Sequence, residues 1–382
     1  MPEPQLAAAL PMRLKGFDIL VVHLPSPIRP RSPSRSVLVR VHDDNSLQGW
    51  GETCPRSGVD NESAETARDF LHEQILPPLL GLELESFEQA HAAMQRLSSG
   101  LRRSQLSAFC AAELAVLDIA GHHFGCSAGD VLGPVRRQAV HYSGLIDARA
   151  EETVRDQAAA LRKRGVSMAR VKLGGNLDRN LARLDVIQQI LGPGARLIVD
   201  PDQRWDAEQT LHQLGAMAAF HLSGIIQPVP PSDLEGMVKI TAAGLAPVIA
   251  SSQVGTVRDV DALADAEACD SISVGIANVG GLGNARLIHA AARASGLGCQ
   301  LDAPAHETGL LTAAGRLFGT RAEGVSWLQE CGSLNASGVQ ICKPGMAAGP
   351  GGRAHALAGP GLGMSVLSAR VEPLISHKIS VH

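Results

Sequence analysis

The chain is predicted to be an α/β protein, a closed βα barrel preceded by an α+β domain. Two observations predict it. From about Val140 onward, β-branched strand candidates and amphipathic segments alternate roughly every 20 to 30 residues, and regular βα alternation builds a parallel sheet flanked by helices. Seven such strands in about 200 residues crowd an open sheet, so closure is favoured, with the chemistry at the C-terminal strand ends.

The first domain, residues 1–135, opens with β-branched runs, "DILVVHL" and "RSVLVRVHDD", and the turn "DDNSLQG" follows them. This predicts an antiparallel meander from Phe17 to about Trp50. The segments "ESAETARDFLHEQILPPLLG", "SFEQAHAAMQRL" and "RSQLSAFCAAELAVLDIAGHHFG" then carry helical spacing; in the last, Ala108, Ala112, Ala115 and Ile119 recur at three and four residues. The barrel, residues 136–344, draws its strands from "VHYSGLID", "ARVKLG", "RLIVDPDQ", "GIIQPV", "APVIASS", "SISVGI" and "GCQLDA", and "VSWLQE" offers a last one. The Gly/Pro-rich stretch that leads into the tail, residues 345–382, is expected to be loop, with the tail returning to the first domain.

Composition narrows the function. With 382 residues, 45% of them apolar and 19% charged, the chain can bury more than one core. A net charge of -4 without a basic stripe argues against nucleic acid or an anionic membrane surface as partner. Seven cysteines, odd in number and without a Cys-x-x-Cys pair, argue against a disulfide framework or zinc knuckle, and a reducing cytoplasm is the expected location. No run reaches the roughly 20 apolar residues of a membrane span, and no targeting signal is visible. The fourteen histidines form no HExxH pattern, and His122-His123 reads as a polar helix end. Neither "KLGGN" nor "GPGG" matches a phosphate loop.

Two pairs of charges stand out. In "ARVKLGG" the period of two puts Arg170 and Lys172 on one strand face, where a neighbouring guanidinium would loosen the lysine's proton toward general-base use. In "VDPDQRW", Asp200 and Asp202 share a face in the same way and could hold Mg2+, which often takes one or two carboxylates with water and substrate. Equally, the four could pair with one another at the barrel mouth.

The ordered set "QGWGET" (48–53), "AAELAVLDIAGHHFG" (111–125), "RVKLGG" (170–175), "DPDQRW" (200–205), "IQPVP" (226–230), "VGGLGNARLIHAAARASGLGC" (279–299) and "GPGLGM" (359–364) resembles the enolase superfamily, more narrowly its muconate cycloisomerase and mandelate racemase branch. The resemblance implies an N-terminal α+β capping domain over a modified (β/α)7β TIM-like barrel. It also implies removal of a proton α to a carboxylate, an enolate stabilised by Mg2+, and a homo-oligomer. Carried over residue by residue, the family's Lys-x-Lys becomes Arg170-Val171-Lys172, keeping the base Lys172, and the first metal ligand corresponds to Asp200. The second, the Glu of "IEQP", is Ile226. The third falls in "PVIASSQ", where Ser251 and Ser252 stand in place of acids. The lysine of the opposite face, after Asp270 in "DSISVG", is Gly275. An acidic residue late in the site corresponds to Glu307, with His306 or Asp302 as alternatives. Arg29 and Arg31, in "PSPIRPRSPSRS", fall in the family's specificity loop of the capping domain.

With Asp200 alone left to hold it, no tightly bound metal is expected, and no cofactor is predicted. Three readings follow. The first is a metal-independent isomerase or lyase, cycloisomerase- or dehydratase-like, in which Arg170 clamps a small carboxylate and Lys172 moves the α-proton. The second is a catalytically inactive homologue that binds or builds. The third is a Mg2+-dependent racemase or cycloisomerase with relocated ligands.

Overall fold

A computed structural model describes residues 10–24, 34–55, 62–147, 150–303, 307–325, 327–328 and 340–382. The first domain begins with β1 (Met12–Leu24), β2 (Ser34–Asp43) and β3 (Gln48–Thr53), paired antiparallel as the meander predicted, although β1 starts earlier than Phe17. Then come α1 (Ala64–Phe70), the short β4 (Glu83–Leu84), α2 (Phe87–Ser98) and α3 (Arg103–Phe124). Helix α3 lies directly on β3. A Cβ at Gly49 would fall 2.4 Å from the Ala115 carbonyl oxygen, and one at Gly51 would fall 2.0 Å from that of Ala111. The glycines of "QGWGET" and the alanine face of α3 are thus two halves of one close contact. By length and composition α3 could cross a membrane, but 89% of its apolar window is buried inside the protein, as befits a core helix.

The barrel starts with β5 (Ala139–Tyr142) and β6 (Gly144–Ile146), one chain run interrupted at Ser143. It continues through α4 (Glu151–Lys163), β7 (Met168–Lys172), α5 (Leu177–Leu191), β8 (Arg196–Asp200), α6 (Ala207–Ala216), β9 (Gly224–Ile226), α7 (Leu234–Ala242) and β10 (Val248–Ala250). The last units are α8 (Val257–Asp265), β11 (Ser271–Gly275), α9 (Leu282–Ala294), β12 (Gly298–Asp302), α10 (Gly309–Arg321) and β13 (Trp327–Leu328). Neighbouring strands pair in parallel from β6 round to β13, and β13 pairs with β5. The ring therefore closes, with seven helices between eight strands.

The tail is less featureless than its glycines suggest. It forms β14 (Cys342–Lys343), β15 (Arg353–His355), β16 (Ser365–Val366), a turn of helix α11 (Ser368–Val371) and β17 (Ile375–Val381). Strand β15 pairs with β5, β14 with β16, and β17 adds an edge to the capping sheet against β1.

Buried carboxylates join capping domain, barrel and tail. Glu52 accepts hydrogen bonds from Thr308 N (2.9 Å), Thr308 Oγ1 (2.6 Å) and Leu311 N (3.2 Å) at the start of α10. Glu113 accepts from Leu282 N (2.6 Å) and Gly283 N (3.0 Å) at the start of α9, where Gly281 turns the chain at φ 105°. Asp118 ties Trp50 N (2.9 Å) to Leu362 N (2.7 Å) of the tail. Helix N-termini present unpaired N–H groups and positive potential, so acids suit those positions. These N-termini follow the C-terminal ends of their strands, so Glu52 and Glu113 fasten the capping domain on the side of the barrel where the site lies.

Candidate active site

Strand β7 aims Met168, Arg170 and Lys172 inward, and β8 aims Ile198 and Asp200 beside them in register. The lower layer is apolar: Met168, Ile198, Ile226 and Ile249 form a separate buried cluster. Charges occupy the layer above. Arg170 places Nε 2.6 Å and Nη2 2.5 Å from Asp200 Oδ2, and its Nη1 reaches Asp302 Oδ1 at 3.0 Å. Lys172 Nζ lies 2.8 Å from Asp200 Oδ2 and 2.9 Å from Asp202 Oδ1. Arg204 Nη2 holds the other oxygen of Asp202 at 2.8 Å. Three cations and three carboxylates thus compensate one another.

The outer carboxylate gets there by a turn. Strand β8 ends at Asp200, so the period of two does not place Asp202; Asp202 and Gln203 adopt φ 61° and 63°, and Asp202 N donates to Asp200 Oδ1 at 2.8 Å. The loops behind are held by groups that the sequence reading passed over. Asn180 brackets Gly174 through its N–H (3.1 Å) and carbonyl (2.8 Å), and Trp205 Nε1 donates to the same carbonyl at 3.0 Å. Arg183 Nη1 donates to the Lys172 carbonyl at 2.5 Å.

Burial pushes Asp200 toward protonation, but Arg170 and Lys172 outweigh it and hold the carboxyl below its usual value. Burial likewise opposes charge on Arg170, and Asp200 with Asp302 overcomes it. The side chain of Asp200 is 3% exposed and that of Asp202 is 44%, so the two partners of Lys172 differ sharply in solvent screening.

Other expected residues fall elsewhere. Asp270 precedes β11 at the N-terminal end of the barrel, where its Oδ2 accepts from Val248 N at 2.6 Å. It stands five residues from Gly275, about 16 Å along a strand, and cannot serve the mouth as a catalytic group. Glu307 stands two residues before α10 and is half-buried; with burial foremost, and Glu113 and Glu307 next, the Cys110 thiol is pushed well up. Arg29, Arg31 and His306 lie outside the described residues. Gly275 pairs with Asp302 at the strand ends and offers no base.

The (β/α)7β barrel with a capping domain, carrying Arg170 and Lys172 on its second strand and Asp200 on its third, defines a barrel enzyme of the enolase type. The family comparisons agree. Residues 153–370, more than half of the chain, match the model described as enolase C-terminal domain-like, and residues 21–133 match the mandelate racemase / muconate lactonizing enzyme N-terminal domain. The chain belongs to the mandelate racemase and muconate lactonizing enzyme branch of the enolase superfamily.

Among curated proteins it is 27% identical to an L-Ala-D/L-Glu epimerase of Bacillus subtilis, over 70% of this chain and 73% of the relative. It is 24% identical to a chloromuconate cycloisomerase of Delftia acidovorans, over 75% and 79%. Among solved structures, an N-succinyl Arg/Lys racemase of Bacillus cereus superposes with a TM-score of 0.88 at 19% identity, covering 97% of this chain and 100% of that one. A muconate cycloisomerase of Pseudomonas fluorescens gives 0.84 at 24%, covering 96% and 100%. The family and these relatives support an isomerase-type enzyme.

The Mg2+ that the family implies does not fit the residues at its three positions. Asp200 already carries two cations on one oxygen. Ile226 is 2% exposed and packed among hydrocarbon. At the third position Ser252 offers a buried hydroxyl without a partner, while Arg103 of α3 holds the carbonyls of Ser252 and Gln253, the latter at 2.8 Å. Mg2+ dehydrates reluctantly and asks for hard oxygen ligands in octahedral order, which hydrocarbon and one occupied carboxylate do not supply.

Proposed function

We propose that the protein is an isomerase or lyase that moves the α-proton of a small carboxylate without a bound metal ion. The observation that carries this reading is the position of Lys172 and Arg170. Two cations lie on the buried Asp200 at the barrel mouth, and they can supply the positive charge that an enolate needs.

Arg170 takes the substrate carboxylate. Its Nη1 leaves Asp302 and keeps Asp200, since a guanidinium fork can serve two acids at once. Lys172 moves the proton. Its contact with Asp202 is solvent-screened and shared with exposed Arg204, so it is the contact that opens when substrate enters. Asp200 stays ionised and holds both cations in place. Gly275 leaves the opposite face without a base, so proton removal and return use one face, as in syn elimination or cycloisomerisation.

The test is turnover. The protein is incubated with dipeptides, N-acylated amino acids and muconate-type acids, and products are read by chiral chromatography and ultraviolet absorbance with EDTA or added Mg2+. Turnover that ignores EDTA is expected; turnover that appears only with Mg2+ would defeat the reading.

A further inference from the structure

Away from the barrel mouth, a cavity of about 680 Å3 lies between α10 and the chain around β15. Strand β15 pairs with Ala139–His141, the opening residues of the first barrel strand, so the cavity flanks the end of the barrel opposite the charged mouth. Its lining includes Arg316, Arg353 and His355 and contains no Asp or Glu. In a chain of net charge -4, a cavity whose titratable side chains are all basic is a local reversal of sign.

Arg316 is the telling residue. It sits on α10, is 5% exposed, and donates through Nη2 to the Met346 carbonyl at 2.7 Å. Its guanidinium carbon stands 5.9 Å from the centre of the Tyr142 ring. Its Nε has no hydrogen-bond partner, and no carboxylate among the described residues pairs with it. A guanidinium taken out of water normally finds an anion, because one carbonyl and one ring face do not offset its lost hydration. Arg321, five residues further along the same helix, is also buried, at 4% exposed, with one nitrogen unpartnered, but it has an acid, Asp130, at 3.4 Å. Strand periodicity adds two more basic groups, since Arg353 and His355 flank the buried Ala354 and share the opposite, exposed face.

We propose that this cavity is a second site, distinct from the barrel mouth, that binds a small molecule through an oxyanion, a carboxylate or a phosphate. Arg316 supplies the buried charge, and Arg353 with His355 closes on the anion from the solvent side. The site needs no covalent step and no metal.

Isothermal titration of the full chain with inorganic phosphate, and separately with succinate, tests it. At least one anion should bind with a dissociation constant on the order of 1 mM or tighter. Arg353→Ala should weaken that binding about tenfold or more, as should Arg316→Met if it folds, whereas Lys172→Ala at the mouth should leave it unchanged. Because Arg353 is exposed, its variant decides the matter even if Arg316→Met does not fold. Absence of any Arg353-dependent binding of either anion, or Arg353-dependent binding that Lys172→Ala also removes, would overturn the proposal. Dependence of phosphate alone on Arg353 would identify a phosphate ligand, and of succinate alone a carboxylate.

Discussion

Lys172 stands between a buried partner and an exposed one, and its chemistry follows from that asymmetry. Asp200 cannot be spared: Asp200→Asn leaves Arg170 and Lys172 facing an amide at a position only 3% exposed, and removing one partner of a buried pair costs about 3 kcal/mol or more. Urea denaturation should show that loss. Asp202→Asn removes only a screened contact and should change stability by less than about 1 kcal/mol. An equal loss from both variants would contradict the division of roles. Ile226→Glu is the complementary trial. It places a carboxylate among Met168, Ile198 and Ile249, so the melting temperature should fall, and calorimetric titration should find no tight Mg2+ binding because Ser252 still lacks an acid. Tight binding by this single variant would show that the third ligand lies elsewhere.

At the scale of elements, β7 and β8 explain what could be read in advance. Two-residue periodicity and parallel register bring Arg170, Lys172 and Asp200 together, and each of those facts is local to a strand. Asp202 joins them through two left-handed residues, which periodicity cannot foresee. Asp302 arrives from a strand more than a hundred residues away, and only barrel closure shows that it meets Arg170. Asp270 misled because a match to a family pattern locates a residue along a strand without saying which end is wet. The glycines of "QGWGET" and of "VGGLGN" were legible as motifs, but their reason, the contact with α3 and with Glu113, belongs to packing. Arg103 is a further case: the N-terminal residue of α3 grips the carbonyls around Ser252, so Arg103→Ala should loosen that loop, visible as faster amide exchange at residues 251–255 with α3 itself unchanged.

The whole molecule is held closed over its site by acids with raised affinity for protons. Burial lifts Glu113 from 4.5 and Asp118 from 3.8 to about 7 each, against the backbone N–H groups that favour their ionised forms. Such groups bind more protons folded than unfolded, so their contribution is fullest below the unfolded values and declines as pH rises toward about 7. Calorimetry should therefore record a falling melting temperature between about pH 5 and about pH 8, with a shallower fall in Glu113→Gln. Asp200 works in the other direction, its stabilisation being lost only as pH drops below the ordinary carboxylate range. No disulfide joins the six described cysteines, so none of this docking depends on one among them.

The central claim is that Lys172 moves an α-proton with Arg170 and Asp200, and with no metal, around it. Proton NMR in D2O of small carboxylic acids incubated with the protein measures that step directly, whether or not a product accumulates. The account predicts α-deuteration of at least one acid class, unaffected by EDTA and abolished by Lys172→Ala. Exchange that EDTA stops, or that survives in Lys172→Ala, would contradict it.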